Sequence, residues 1–354
     1  MNHIERAKSI FAHYLTVNPQ SSHYYGLVAL YGMVNLCEAS GDTDSVELTK
    51  RMLDAFPDRV EHPRYNFPSY RVGGIAKARA VYTGLLSGDE YERQLAAYAD
   101  ELMSARRSHD GILSMPHGDN PDKVWIDVAT AATPFLLFSG LKLGRGEYID
   151  EAAFQTLAMY DLFLDKSCGL LHQSRDFCGE GRFSDDHWSR GNGWGILPLA
   201  ELCAHLPENH PERGRCIEYF KAHIDSLAKY QSKNGMWRQE ITVESLDTHS
   251  ELGILESYEE TSGTGLILYA IGVGIRNGLL DRNEYLPIFK RGIDGLYKIS
   301  ISDDDSIMNS CPGCLCPGDG TILAYLNHRR TFRDEPHGAG PVILALSEAA
   351  RLGV

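Results

Sequence analysis

Apolar residues recur with a period near 3.6 along the whole sequence, and the segments that carry this period are of two kinds that alternate. One kind is charged on most faces, as in 89–107 with Asp89, Glu90, Glu92, Arg93, Asp100 and Glu101. The other is rich in small residues and nearly free of charge: GLVALYGMVNL, VATAATPFLLFSGL, GWGILPLAEL, SGTGLILYAIGVGI and GAGPVILALSEAA. A helix that is apolar all round belongs inside a fold, and an amphipathic one covers it. The pairs are 3–16 with 24–40, 43–56 with 70–87, 89–107 with 123–143, 147–166 with 192–206, 211–231 with 260–277, and 283–299 with 337–352. Six hairpins of this kind predict an all-α fold, an (α/α)6 barrel with six inner helices wrapped by six outer ones. A solenoid of helical repeats would need a constant period, and the connecting loops vary too widely in length for that.

Several helix ends are marked by glycine, at Gly41, Gly88 and Gly235, where a residue with positive φ is wanted. No Pro/Gly/Ser-rich linker or change of composition divides the chain, so a single catalytic domain over 1–354 is expected. Lys and Arg total 34 against 48 acids, a formal net charge of −14 with no basic block, which argues against nucleic acid and anionic membranes as partners. No apolar run reaches the roughly 18 residues of a membrane span. The opening MNHIERAKSIFAHYL interleaves charge with apolar residues and reads as a helix, not a secretory signal. Eight cysteines without such a signal point to reduced thiols in the cytoplasm. A monomer or weak homo-oligomer is expected.

The unusual residues cluster at the starts of the inner segments. Tyr24 and Tyr25 precede the first, Tyr70 and Arg71 open the second, and Trp125 and Asp127 the third. Trp188, Arg190 and Trp194 surround the fourth, Glu260 and Ser262 open the fifth, and His337 opens the sixth. Inner helices of a hairpin ring run parallel, so all six starts share one mouth. Aromatic faces beside a few charged groups suit a sugar site, and helix N-termini favour an anionic ligand. A small anionic oligosaccharide is the expected substrate.

Asp127 carries most weight. It is flanked by apolar residues in Val124-Trp125-Ile126-Asp127-Val128-Ala129. An Asp here is commonly a helix N-cap. Burial beside Trp125 would instead raise its pKa and suit a general acid. Pro134 requires that a helix beginning near Asp127 kink or begin later. Trp188-Ser189-Arg190-Gly191-Asn192-Gly193-Trp194 makes a tight loop able to hold a guanidinium over aromatic faces. His172 lies in the long loop before it. The absence of P-loop, GxGxxG and GxSxG motifs argues against nucleotide and serine-hydrolase chemistry. Cys311, Cys314 and Cys316, with His328 or His337, invite a zinc reading, but the second CxxC pair is missing, and neither metal nor cofactor is expected.

Trp125-x-Asp127, Trp188-Ser-Arg190-Gly-Asn-Gly-Trp194, Glu260-Thr-Ser262-Gly-Thr264 and Pro336-His337-Gly-Ala-Gly340 occur in the order found in unsaturated uronyl hydrolases. From about residue 23 onward the chain resembles glycoside hydrolase families 105 and 88, the rhamnogalacturonyl branch (family 105) more closely. The resemblance implies an (α/α)6 barrel and a hydrolase that removes a C4=C5 unsaturated uronic acid from the non-reducing end of lyase-generated oligosaccharides. It implies that Asp127 protonates C4 and then helps activate the water that adds at C5. It assigns His172 and Arg190 to the substrate or the attacking water, Trp125, Trp188 and Trp194 to ring stacking, and the N-terminal aromatic to Tyr24 or Tyr25. Tyr70, Arg71, His117 and His337 are further candidates for substrate binding.

Two departures stand out. Members of the families it resembles usually carry a second acid before the second inner helix, where this chain has Tyr70-Arg71 and, earlier in the loop, Glu61. His117 stands where some members of those families have a lysine, ten residues before the aspartate that aligns with Asp127. An Arg in place of an acid would favour a substrate with extra negative charge. The alternatives are another (α/α)6 carbohydrate enzyme, either a conventional glycosidase or an epimerase using His172 and His337 across the cavity, and a non-catalytic sugar-binding protein.

Overall fold

The computed structural model describes residues 2–18, 22–59, 66–315, 319–328 and 331–354. All twelve expected helices are present. In chain order they are α1 (His3–Val17), α2 (Tyr24–Ser40), α3 (Thr43–Asp54), α4 (Gly74–Tyr82), α5 (Asp89–Met103), α6 (Asp127–Leu143), α7 (Gly146–Phe163), α8 (Ser189–His205), α9 (Arg213–Lys229), α10 (Thr261–Arg276) and α11 (Arg282–Gly295). A short α12 (Ile322–Asn327), which the hydrophobic pattern does not announce, precedes α13 (Ala339–Leu352). Helix α2 packs on α4, α4 on α6, α6 on α8, α8 on α10, α10 on α13, and α13 returns to α2. The ring closes as an (α/α)6 barrel.

The two kinds of segment sort as their composition demands. Helix α10 buries every residue from Thr261 to Ile275, whereas α5 buries only Leu95, Ala99 and Leu102, one stripe of an outer helix. Small residues let the inner helices touch. A Cβ on Gly263 would lie 2.6 Å from the backbone carbon of Ser189, and one on Gly340 would lie 2.8 Å from that of Val28. The end of the barrel away from the helix starts is filled by a buried polar cluster. Arg79 donates to Glu38, to Glu201 and to the hydroxyls of Tyr31 and Tyr269.

Three helix starts differ from the sequence reading. Before α4, Pro68–Gly73 forms a 3-10 turn that ends with Val72 and Gly73 at φ 49° and 83°, so Tyr70 and Arg71 sit on a loop. Helix α8 starts at Ser189 rather than 192, which places Arg190 in its first turn. Helix α6 begins at Asp127, with Ile126 as the N-cap, and continues past Pro134. Asp127 is therefore the first helical residue, not the cap.

Four pairs of short antiparallel strands decorate the loops. β1 (Val124–Trp125) pairs with β4 (Ser174–Arg175), and β2 (Leu164–Asp165) with β3 (Leu170–Leu171). β5 (Ser245–Asp247) pairs with β6 (Ile254–Glu256), and β7 (Met308–Ser310) with β8 (Thr331–Arg333). No helix among the described residues is long and apolar enough to cross a membrane.

Candidate active site

The starts of the inner helices do meet at one mouth. A narrow slot lies there, walled by Tyr24, Phe67, Tyr70, Trp125 and Trp194, with Asp127, Val128 and Ala131 of α6 at its side. Tyr24 and Tyr70 stack with ring centroids 6.3 Å apart, and Phe67 meets Trp125 at 6.4 Å. Larger hollows exist elsewhere, such as the one between Phe154 and Arg215 on the outer helices, but they lie away from the inner-helix starts.

Asp127 is enclosed by protein yet keeps some surface open to the slot. Burial raises its pKa to about 7, the hydrogen bond from Gln173 and the charge of Arg190 offsetting only part of that effect. Gln173 Nε2 donates to Oδ2 of Asp127. The backbone carbonyl of Gln173 also accepts from the Ile126 N–H at 3.0 Å, so the two segments are locked in register. Gly191 on α8 is part of this arrangement, because a Cβ there would stand 2.2 Å from Gln173 Oε1.

Arg190 is fully buried. Its guanidinium carbon lies 4.5 Å from the ring centroid of Trp188, and Nη1 donates to Ser262 Oγ and to the carbonyl of Cys311. The WSRGNGW segment therefore does hold a guanidinium on an aromatic face. Trp188 is the platform beneath the arginine, itself buried, while Trp125 and Trp194 face the slot. Glu260 caps α10 by accepting from the Ser262 and Gly263 N–H groups, and also accepts from Cys311 N–H and Ser189 Oγ. On the far wall, His337 Nδ1 donates to Glu335 at 2.7 Å and Nε2 faces the Tyr24 hydroxyl. Burial and the charge of Arg190 hold the His337 pKa below its ordinary value, so the ring is neutral and Nε2 accepts the phenolic proton. Tyr25 stacks on His23 at 4.0 Å and meets His337 edge-on.

Three candidates are not brought to Asp127. Arg71 is turned onto both oxygens of Glu101 on α5, at 2.9 and 3.0 Å, which leaves it outside the slot and removes the basis for a preference for extra negative charge. His117 is exposed on the loop before β1. His172 stacks on Phe183 and lies 4.0 Å from Asp165. The hairpin explains this, since alternate residues of a strand face opposite ways. Asp165 pairs with Leu170 and the His172 N–H bonds the Phe163 carbonyl, so His172 shares a face with Asp165 while Gln173 faces Asp127. His172 and His337 thus belong to separate clusters, contrary to what an epimerase pair requires. Cys311 Sγ meets Gln239 and the Gly313 carbonyl, while Cys316 and Glu61 lie outside the described residues.

The architecture is that of helical-barrel carbohydrate enzymes. A family 105 glycoside hydrolase from C. acetobutylicum superposes with a TM-score of 0.79 at 22% identity, covering 97% of this chain and 98% of that one. The unsaturated glucuronyl hydrolase of Bacillus sp. GL1 superposes with a TM-score of 0.72 at 15% identity, covering 100% and 97%. Over residues 1–353 the sequence matches Glycosyl Hydrolase Family 88, and the chain belongs to that family. Curated relatives include an unsaturated 3S-rhamnoglycuronyl hydrolase of Formosa agariphila, 29% identical over 47% of this chain and 44% of the relative. The unsaturated rhamnogalacturonyl hydrolase YesR of Bacillus subtilis is 24% identical over 70% and 69%. The match thus spans less than half the length of the first relative and about two thirds of the second.

Proposed function

We propose that this protein removes a C4=C5 unsaturated uronic acid from the non-reducing end of small oligosaccharides by hydrating the enol ether. The observation that carries this is Asp127, a carboxyl group held near pKa 7 at the edge of an aromatic slot. Near neutrality such a group is protonated in part of the molecules and ionised in the rest, so one side chain can serve as acid and then as base. The Asp127 proton passes to C4, and positive charge develops at C5 and the ring oxygen. A water oxygen bonds to C5 as the Asp127 carboxylate takes its proton, which restores the acid. The resulting C5 hemiketal opens, and the C1 hemiacetal then expels the remaining saccharide as an alcohol, with one water consumed. No second carboxylate is required, unlike the pair of ordinary glycosidases.

Arg190 supplies the positive field for the uronate carboxylate, and Trp125, Trp194, Tyr24 and Tyr70 supply ring faces. Gln173 orients Asp127. The names of the relatives, on rhamnogalacturonyl and rhamnoglycuronyl substrates, support an unsaturated uronate as the recognised sugar. The test is to follow the ultraviolet absorbance of the conjugated enol in lyase-generated fragments of pectin, glycosaminoglycan and ulvan. A decay that Asp127→Asn abolishes while substrate still binds is the expected result. No decay with any of the three would sink the reading, and activity undiminished in Asp127→Asn would remove Asp127 from it.

A further inference from the structure

We propose that Asp165, Cys168 and His187, with His172 beside them, form a binding site for a zinc ion. The donors come from two segments. Asp165 ends β2 and Cys168 lies within the tight turn that leads to β3, closed by the Gly169 N–H on the Asp165 carbonyl at 2.7 Å. His187 comes from the chain just before α8. One donor atom from each of these three residues lies within 4.8 Å of the other two. His187 Nε2 is 3.2 Å from Asp165 Oδ2 and 3.4 Å from Cys168 Sγ. For bonds of about 2.0–2.3 Å, a tetrahedral zinc site has ligand-to-ligand edges of roughly 3.3–3.6 Å. His172 Nε2 lies 4.0 Å from the same Asp165 oxygen, beside the three mutually close donors and outside their group.

The surroundings are also those of a metal site. Ser167 N–H bonds Asp165 Oδ1 at 2.8 Å, which leaves Oδ2 directed at the other donors. His187 turns its second nitrogen, Nδ1, toward Thr242 Oγ1 at 3.4 Å and Glu240 Oε1 at 4.0 Å. Thr242 Oγ1 in turn donates to Glu240 at 2.7 Å. An acceptor at the far nitrogen of a zinc-bound imidazole is its usual outer support, and here the Thr242 hydroxyl, held by Glu240, is placed to keep the proton on Nδ1 and leave Nε2 to ligate. Thiolate and imidazole together select zinc over magnesium or calcium, which prefer oxygen. On binding, the Cys168 thiol loses its proton to solvent and the thiolate sulfur bonds the metal. The ion would tie the hairpin that leads into Gln173 to the residue preceding Trp188.

The experiment strips the purified full-length chain with a chelator and titrates it with zinc alone and then with cobalt(II). The expected result is one equivalent of zinc retained through dialysis, and a cobalt complex with the near-ultraviolet band of thiolate ligation and the visible bands of a tetrahedral ion. Cys168→Ser should weaken zinc binding at least ~10-fold and remove the thiolate band. Absence of stoichiometric retention, or a cobalt complex of the unsubstituted protein without a thiolate band, overturns the proposal whether or not the variant folds. Binding that survives Cys168→Ser and is lost in Cys314→Ser overturns it as well, because the ion then belongs to the Cys311–Cys314 loop.

Discussion

Gln173 donates its side-chain amide to Oδ2 of Asp127, and the neighbouring His172, expected to meet the substrate or the attacking water, faces the other way. A hydrogen bond to a carboxylate favours the charged form, so Gln173 acts against the burial that lifts the acid to about pH 7. Removing the amide should raise that pKa further. A hydrogen bond to a charged group is worth about 1.5–3 kcal/mol, or about 1–2 pH units. In Gln173→Ala the basic limb of the pH–rate profile should therefore move upward by about one unit, with a lower plateau because the acid is less well oriented. A profile that stays in place would show that the amide does not set the acidity of Asp127.

Gly191 should matter through Gln173. A Cβ at position 191 meets the end of the Gln173 side chain at 2.2 Å and a Trp188 ring carbon at 3.3 Å, not backbone. The side chain has to yield while the fold is largely retained. Gly191→Ala should therefore reproduce the pH shift of Gln173→Ala with a small change in melting temperature. The double variant should add little to either single one, since both break the same bond. Additive losses in kcat would mean that Gly191 acts separately.

Much of this was legible in the sequence because it rests on composition and period. The charge-free inner segments could only be buried, and once they were placed in a ring, the positions of Tyr24, Tyr70, Trp125, Asp127 and Trp194 at segment starts sufficed to gather them. What failed depended on direction rather than position. His172 and Gln173 are one residue apart, and the side of the β2–β3 hairpin each faces is set by pairing between Asp165 and Leu170, which no motif announces. Arg71 lies outside the slot because Val72 and Gly73 adopt positive φ, and the chain turns the guanidinium out toward Glu101 before α4 begins. Gln173 itself carries no charge and gives no signal in a loop.

Asp127 should make the fold less stable as pH rises. Unfolded, its pKa is about 3.9; folded, it is about 7. Between these values the folded chain holds a proton that the unfolded chain has released, so stability falls as pH increases through that window. Asp127→Asn removes the ionisation and should melt at a higher temperature than the unsubstituted protein at pH 8, with the difference shrinking toward pH 4. The same variant should lose about 10²–10⁴ in kcat. Equal melting temperatures at pH 8 would show that the carboxyl is better solvated than the slot implies.

At the other end of the barrel, stability and catalysis should separate. The Arg79 guanidinium is buried and divided between Glu38 at 2.7 Å and Glu201 at 2.7 Å, with Tyr31 and Tyr269 at 3.2 and 3.0 Å. Burial pushes the Glu201 carboxyl up, and the charges of Arg79 and His205 together with the hydrogen bonds from Tyr269 and Tyr31 outweigh it and hold the group below its ordinary value. Arg79→Met keeps the volume but takes the guanidinium from buried Glu201, while Glu38 keeps Arg351 at 3.0 Å; breaking a buried pair this way typically costs about 3–5 kcal/mol. Chemical denaturation should show that loss while kcat at low temperature stays near its starting value, since Arg79 is remote from the slot. Adding Glu201→Gln should recover part of the stability, because the buried charge left by Arg79 is then gone. If Arg79→Met is no less stable than the parent, the cluster is solvated from the open end of the barrel and contributes little to holding the six inner helices together.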